Sequence, residues 1–160
     1  MTATAHALAG AVIAAKITNP YLAYPLALGS HFLMDIIPHW DTGTGHENKS
    51  RFKFFAESLL DLSVGFLLVL VLFGGHVNPI HLWTTVLIAQ LPDWFTAPYL
   101  FLKIKIFPIF ELYKLQSALN TRASFVYGIA TQVIIVGPLV YYSLPKPVEN
   151  VVTTALAFLI

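Results

Sequence analysis

The 160-residue sequence contains no cysteine and few charged residues. The absence of cysteine excludes disulfide bonds and thiolate metal ligands. Asp, Glu, Lys and Arg together make up 11% of the chain, whereas about 25% is usual in a soluble domain. Hydrophobic residues account for 57%, and the mean hydropathy is +0.72. This composition predicts an integral membrane protein.

Several common functional signatures are also missing from the chain. There is no Gly-rich phosphate loop, no nucleophile elbow and no basic stripe of the kind that binds nucleic acid. We therefore expect no nucleic-acid partner. The first apolar segment lacks the basic leader and polar cleavage region of a secretory signal. We expect this segment to remain in the mature protein as a helix.

Five apolar runs have the length expected of membrane-spanning helices. They cover residues 2–17, 21–37, 54–73, 80–102 and 123–144. A last apolar run, 148–160, is short and is predicted to be a partial helix, unless the natural chain continues beyond it. The expected fold class is all-α, a polytopic transmembrane helical bundle formed by one domain, residues 1–160. It has about five spans, a partial sixth helix if the last run folds, and a short N-terminal helical hairpin.

The distribution of basic residues predicts the orientation of the bundle. Seven of the nine Lys and Arg residues lie in loops 38–53 and 103–122, which face the same side if all five runs span. Lys16 and Lys146 lie on the opposite side. Because basic loops stay in the cytoplasm, we expect a multi-pass protein of the inner (plasma) membrane with a cytoplasmic N-terminus.

Three acidic residues, Asp35, Asp61 and Asp93, lie inside apolar runs. A carboxylate in hydrocarbon is costly unless it is paired, hydrated or bound to a cation. His31 and His39 stand four residues before and after Asp35, which places all three on one helix face. With the predicted orientation, these residues fall in the cytoplasmic half of the bundle. The pattern predicts a metal or proton site there.

The predicted site has two kinds of residue. Its metal ligands are His6, His31, Asp35, His39, Asp41 and Asp61. Imidazole and carboxylate donors suit zinc, manganese or iron, and zinc is the preferred divalent metal. The predicted catalytic residues are Glu57 and Asp93, as proton acceptors. Pro92 is expected to break the fourth helix just before Asp93. Alternatively, Glu57 belongs to a solvated start of the third helix, and Asp93 caps the restarted fourth helix.

Other polar residues carry weaker signals. Gln90 and Gln132 lie within apolar runs and are predicted to form hydrogen bonds between helices. Gln116, Asn120 and Arg122 lie in the connection between the fourth and fifth runs. They could line a substrate entrance, although nothing in their spacing requires it.

Three short motifs in the first 65 residues resemble those of the bacterial membrane-bound metal-dependent hydrolases, the LexA-regulated inner-membrane type. The family's His-x-x-x-Gly matches His6 to Gly10. Its Pro-Asp-x-Asp is similar to Pro38-His39-Trp40-Asp41, with His in place of the first Asp. Its Arg…Thr-His-Ser segment resembles Arg51 and Ala56-Glu57-Ser58-Leu59, with Glu in place of His. These replacements keep side chains that can bind metal.

The resemblance implies hydrolytic chemistry, with a distant likeness to zinc-dependent phospholipases. We therefore expect a metal-dependent hydrolase that cleaves an ester or phosphoester at the cytoplasmic face, with a lipid or amphiphile as substrate and the bilayer as partner. Two other functions remain open. The same acids and histidines could carry an ion or metal in a transporter, or hold a metal in a membrane scaffold without catalysis.

Overall fold

A computed structural model describes residues 1–145 of the chain. Within that range the chain forms six α-helices. They are α1 (Ala3–Lys16), α2 (Pro20–Ile36), α3 (Arg51–Phe73), α4 (Pro79–Leu102), α5 (Ile109–Leu119) and α6 (Phe125–Ser143). The predicted all-α class is confirmed. The partial helix predicted for residues 148–160 lies outside the described residues.

Helix α1 lies at the centre and contacts α2, α3, α4 and α6. Its small residues permit this, because they let neighbouring backbones approach closely. A Cβ placed on Gly10 would lie 2.9 Å from the Val86 Cα of α4. A Cβ on Gly65 of α3 would lie 2.8 Å from the Thr4 Cα of α1. One fully buried core cluster consists of Ala7, Ala11, Ala14, Val69, Phe73, Leu82 and Val86.

The chain after α2 turns back against the bundle and is held by the start of α6. His39 N–H donates to the Thr121 carbonyl at 3.0 Å, and Ala123 N–H donates to the His39 carbonyl at 2.7 Å. The Thr131 hydroxyl donates to the Pro38 carbonyl at 2.6 Å, and Gln132 Nε2 donates to the Trp40 carbonyl at 2.8 Å. Gln132 was predicted to bond to another helix, and it bonds instead to the segment that follows α2. These contacts fix the backbone on both sides of His39.

Two features of the helices differ from the sequence-based expectation. Pro92 was expected to break the fourth helix, and this is wrong because α4 runs without interruption through Pro92 and Pro98. Proline removes one backbone hydrogen bond, but packing on both sides of a buried helix can hold it straight enough to continue. The connection 103–122 contains the short helix α5, which the mixed aromatic and charged pattern did not predict.

Helices α3 and α6 are long and apolar enough to cross a membrane. Only 11% of the most apolar part of α3 and 17% of that of α6 are buried. Large side chains such as Val71 and Ile134, each 70% exposed, therefore face outward. Exposed apolar surface of this extent is unusual for a soluble helix. The two helices indicate association with a membrane.

The close approach of α6 to the segment after α2 gives a testable expectation. A Cβ on Gly128 would lie 2.2 Å from Trp40 N and 2.7 Å from the His39 carbonyl carbon. Because backbone atoms cannot move aside as a side chain can, Gly128→Ala should destabilise the protein by about 1–3 kcal/mol. Thermal unfolding in detergent measures this change.

Gly29, in the interior of α2, provides the control. Within the described part of the chain, no atom lies within 4 Å of a Cβ placed there, apart from its chain neighbours and the backbone of its own helix. Gly29→Ala should leave the unfolding midpoint unchanged or raise it, because alanine has the better helix propensity. Equal midpoints for the two variants would contradict the packing described at Gly128.

Candidate metal centre

Imidazoles and carboxylates from separate parts of the chain converge at one end of the bundle. The antiparallel hairpin of α1 and α2 places the start of α1 beside the end of α2, and α4 packs against both. The residues that meet there are His6 of α1, His31 and Asp35 of α2, His39 and Asp41 of the following loop, and Asp93 of α4.

Asp35 lies at the centre of this cluster and is 3% exposed. Its Oδ1 lies 3.2 Å from His6 Nε2, and its Oδ2 lies 3.4 Å from His31 Nε2. His31 Nε2 also lies 3.4 Å from Asp93 Oδ1. The ligand atoms of His6, His31 and Asp93 all fall within 4.8 Å of one another. These three residues can therefore hold a metal ion between them.

His39 and Asp41 form a second pair on the other side of Asp35. His39 Nε2 lies 3.4 Å from Asp41 Oδ2 and 3.9 Å from Asp35 Oδ1. Burial raises the pKa of Asp41, but the His39 imidazole, the amino terminus and the Thr44 hydroxyl outweigh burial and hold the pKa well below its ordinary value. Asp41 is thus ionised, as a cation ligand must be.

Two of the histidines are oriented by backbone carbonyls. His31 Nδ1 donates to the Ala89 carbonyl at 2.8 Å, and His39 Nδ1 donates to the Ile37 carbonyl at 2.7 Å. Because a carbonyl oxygen only accepts, each Nδ1 carries the proton, and the neutral imidazole then has a lone pair at Nε2 that can bind a metal ion. Metal-binding histidines are commonly fixed in this way by their second nitrogen.

Several buried nitrogens in the cluster lack hydrogen-bond partners. Within residues 1–145, neither His6 nitrogen forms a hydrogen bond, and His39 Nε2 forms none. Burying a polar atom without a partner is costly. A cation coordinated by these nitrogens would remove that cost, so the residues present fit a bound metal.

A positively charged group and a hydrogen-bond donor already contact the carboxylates of Asp35 and Asp93. The amino group of Met1 forms an ion pair with Asp35 Oδ1. Gln116 Nε2, on α5, donates at 3.0 Å to both His31 Nε2 and Asp93 Oδ1. Gln116 thus belongs to the cluster itself. The sequence could not predict this role, because it did not predict α5.

The structure places Asp61 and Glu57, two of the predicted site residues, outside the cluster. The Asp61 carboxylate accepts hydrogen bonds from Ala3 N–H at 2.8 Å and from the Thr4 hydroxyl at 2.7 Å, which fixes the start of α1. Glu57 Oε2 accepts from Lys49 Nζ at 2.7 Å. Glu57 also lines a different groove, between α3 and α6.

A cavity of about 270 Å³ borders the cluster and has both a polar and an apolar lining. Its polar lining includes Asp35, Asp41, Asp93 and Gln116, together with Gln90, Asn120 and Arg122. Its apolar lining comes from side chains of α3 and α4, among them Phe54, Phe55, Leu59, Trp94 and Phe101. Gln116, Asn120 and Arg122, which could line a substrate entrance by their sequence position, thus line this cavity.

Comparison with known proteins assigns no function to this chain. No family model, curated protein or solved structure matches the chain.

Asp93 and Asp61 give a matched pair of variants for the site. Asp93→Asn should weaken zinc binding at least tenfold, since the loss of groups that merely orient ligands already costs about 10–100-fold. Asp61→Asn should retain zinc but lower the stability by about 1 kcal/mol, because one amide group then faces an N–H of α1. Metal content, calorimetric zinc titration and thermal unfolding separate the two effects.

The opposite pattern would reassign the ligands. If Asp61→Asn loses zinc and Asp93→Asn keeps it, the metal is not bound by the cluster of His6, His31 and Asp93.

Proposed function

We propose that this chain is a membrane-embedded metal-dependent hydrolase that cleaves an ester or phosphoester at the cytoplasmic face of a bacterial inner membrane. The observation that carries the proposal is the cluster of His6, His31 and Asp93, with Asp35 beside it and a cavity along one side. Buried imidazoles and carboxylates that converge on a cavity are typical of a metal-dependent active site.

We propose zinc as the metal. The donors are imidazole nitrogens and carboxylate oxygens, and the sequence offers no thiolate. Catalytic zinc sites commonly combine histidines with a carboxylate and keep one position for water or substrate. His6, His31 and Asp93 would hold the ion, with Asp35, His39 and Asp41 as further ligands or as partners that orient them.

A zinc ion bound here would supply polarisation of the substrate oxygen and lower the pKa of bound water toward about 7. The residues around it position the reactants. Asp93 is the most exposed of the three cluster residues, with 43% of its side chain accessible, so it can reach a water molecule in the cavity. Asp93 Oδ1 faces His31 Nε2 and would bind the ion in place of the Gln116 amide, so we assign the proton of the attacking water to Oδ2.

The same proposal includes five membrane spans with the N-terminus in the cytoplasm. The length and outward apolar faces of α3 and α6 support it, as does the excess of Lys and Arg in loops 38–53 and 103–122. Asp93 lies nine residues before the end of α4, which is roughly 14 Å at 1.5 Å per residue. The cluster then lies below the cytoplasmic surface, within reach of lipid.

The apolar lining of the cavity favours an amphiphile as substrate. Phe55, Leu59 and Trp94 line the cavity and are 52%, 51% and 41% exposed. An alkyl chain could therefore lie along these side chains while the polar group meets the carboxylates. Burial of each CH₂ group contributes about 0.8 kcal/mol.

A transporter is less consistent with the packing. Passage through the bundle would need polar groups that continue from the cluster to the opposite end. Within the described residues, the space between the two ends is filled by the core that includes Ala11, Ala14 and Val86. These side chains are 0–1% exposed. We therefore do not propose transport.

A scaffold without catalysis remains the second candidate, and one observation favours it. The Met1 amino group and the Gln116 amide already satisfy Asp35 and Asp93. Such a network can stabilise a bundle by itself, with or without a metal. Catalytic turnover is the property that distinguishes the two functions.

The test is hydrolysis by purified protein in detergent. We expect zinc-dependent cleavage of nitrophenyl phosphate or nitrophenyl carboxylate esters, lost with a chelator and restored by zinc. Longer alkyl chains on the substrate should lower KM, because the apolar lining of the cavity would bind them. At saturating zinc, Asp93→Asn should lower kcat about a hundredfold or more, as expected for a general base.

A zinc-loaded protein that cleaves none of these substrates would favour the scaffold. Cleavage that is insensitive to both the chelator and Asp93→Asn would contradict the proposed site.

A further inference from the structure

Gln90 is a buried amide in the wall of the cavity with a donor that has no acceptor. It lies in α4, is 1% exposed and lines the cavity beside the metal cluster. Within residues 1–145, Gln90 Nε2 forms no hydrogen bond, so the predicted interhelical bond is not formed by that atom. Buried amide donors are normally paired, because they have given up their hydrogen bonds to water.

The other buried glutamines show that the bundle can pair such groups. Gln116 Nε2 donates to His31 and Asp93. Gln132 Nε2 donates to the Trp40 and Gly128 carbonyls, and its Oε1 accepts from Thr2. Gln90 borders the cavity, as Gln116 does, but differs from both because its donor has no partner among the described residues. A group that is costly in the free protein and borders a binding cavity is suited to pair with a ligand.

The position of Gln90 on α4 relates it directly to the metal cluster. Residues three apart on a helix lie on the same face, so Gln90 and Asp93 are neighbours along the cavity wall. The preceding residue, Ala89, supplies the carbonyl that orients His31. One turn of α4 therefore orients His31 through the Ala89 carbonyl, contributes Asp93 to the cluster and carries the unpaired amide donor of Gln90.

We infer that Gln90 Nε2 donates a hydrogen bond to an oxygen of the bound substrate, and that this bond positions the phosphoryl or carboxyl group beside the cluster. The inference rests on the proposed function. Four carboxylates line the cavity, Asp35, Asp41, Asp61 and Asp93. They would repel an oxygen-rich group unless a cation at the cluster offsets their charge. Binding through Gln90 should thus require the metal.

The amide suits this role better than a basic side chain would. It donates to an oxygen without a positive charge that would repel the neighbouring metal ion. It also serves a phosphoester and a carboxyl ester equally, because both present an acceptor oxygen. Inorganic phosphate and acetate, the simplest anions of the two substrate classes, are therefore the probes.

The experiment measures binding of phosphate and of acetate to zinc-loaded protein by calorimetry, beside zinc content and thermal unfolding. Gln90→Met keeps the length of the side chain and removes the donor. It should weaken binding of at least one probe about tenfold to a hundredfold, the range for a hydrogen bond to a charged group. Zinc content should not change. The unfolding midpoint of the metal-free protein should stay the same or rise, because no protein hydrogen bond is lost.

Gln132→Met is the matched control. It removes a glutamine whose amide is fully paired, so its midpoint should fall by about 4 °C while probe binding is retained. Gln90→Glu is the second variant at the site itself. It keeps the shape, replaces the donor by a further carboxylate and should weaken binding of either probe at least as strongly.

The outcomes separate this inference from the proposed function. If the protein binds zinc and Gln90 variants bind both probes as the unaltered protein does, Gln90 pairs with water or with nothing, and the inference fails alone. The inference also fails alone if the zinc-loaded protein binds neither phosphate nor acetate. If the protein binds no zinc, the proposed function fails, and the inference fails with it. A lowered midpoint for Gln90→Met with unchanged binding would show a purely structural role.

Discussion

The buried carboxylate of Asp35 is the group on which the arrangement of this bundle depends. A carboxylate among apolar helices costs about 2.5–3.5 kcal/mol on insertion scales unless other groups compensate it. Here the Met1 amino group provides that compensation. The imidazole nitrogens of His6 and His31 lie beside Asp35 and would add to it when they hold a cation. Because Met1 lies just before α1 and Asp35 lies at the end of α2, their ion pair joins the two ends of the helical hairpin.

The polar cluster in turn depends on the apolar packing. The small residues of α1 allow α4 to pack at the distance seen at Gly10, and α2 packs against both helices. The packing of α2 on α4 lets His31 donate to the Ala89 carbonyl and places its Nε2 3.4 Å from Asp93 Oδ1. Metal binding must compete with the Gln116 amide, which donates hydrogen bonds to both His31 Nε2 and Asp93 Oδ1. The site is therefore a balance between coordination and an existing hydrogen-bond network.

The sequence predicted those features that depend on the local pattern of apolar and polar residues. Apolar runs located all four long helices and α1, and the four-residue spacing placed His31 and Asp35 on one face of α2, where they now meet. It missed α5, which has 11 residues and a mixed aromatic and charged pattern. Gln116 therefore had no assigned partner. The break at Pro92 was also wrong, because packing against neighbouring helices preserves a helix that proline alone disfavours.

Asp61 and Asp93 show which properties follow from the sequence alone and which follow only from the tertiary structure. Each is an acid within an apolar run, so the sequence by itself determined that both need polar partners inside an all-α bundle. Only the tertiary structure decided that Asp93 meets His31 while Asp61 receives the N–H groups at the start of α1. The physical reason is that contacts across helix interfaces, here between small residues, set the rotation of each helix about its axis. That rotation determines which partner each carboxylate faces.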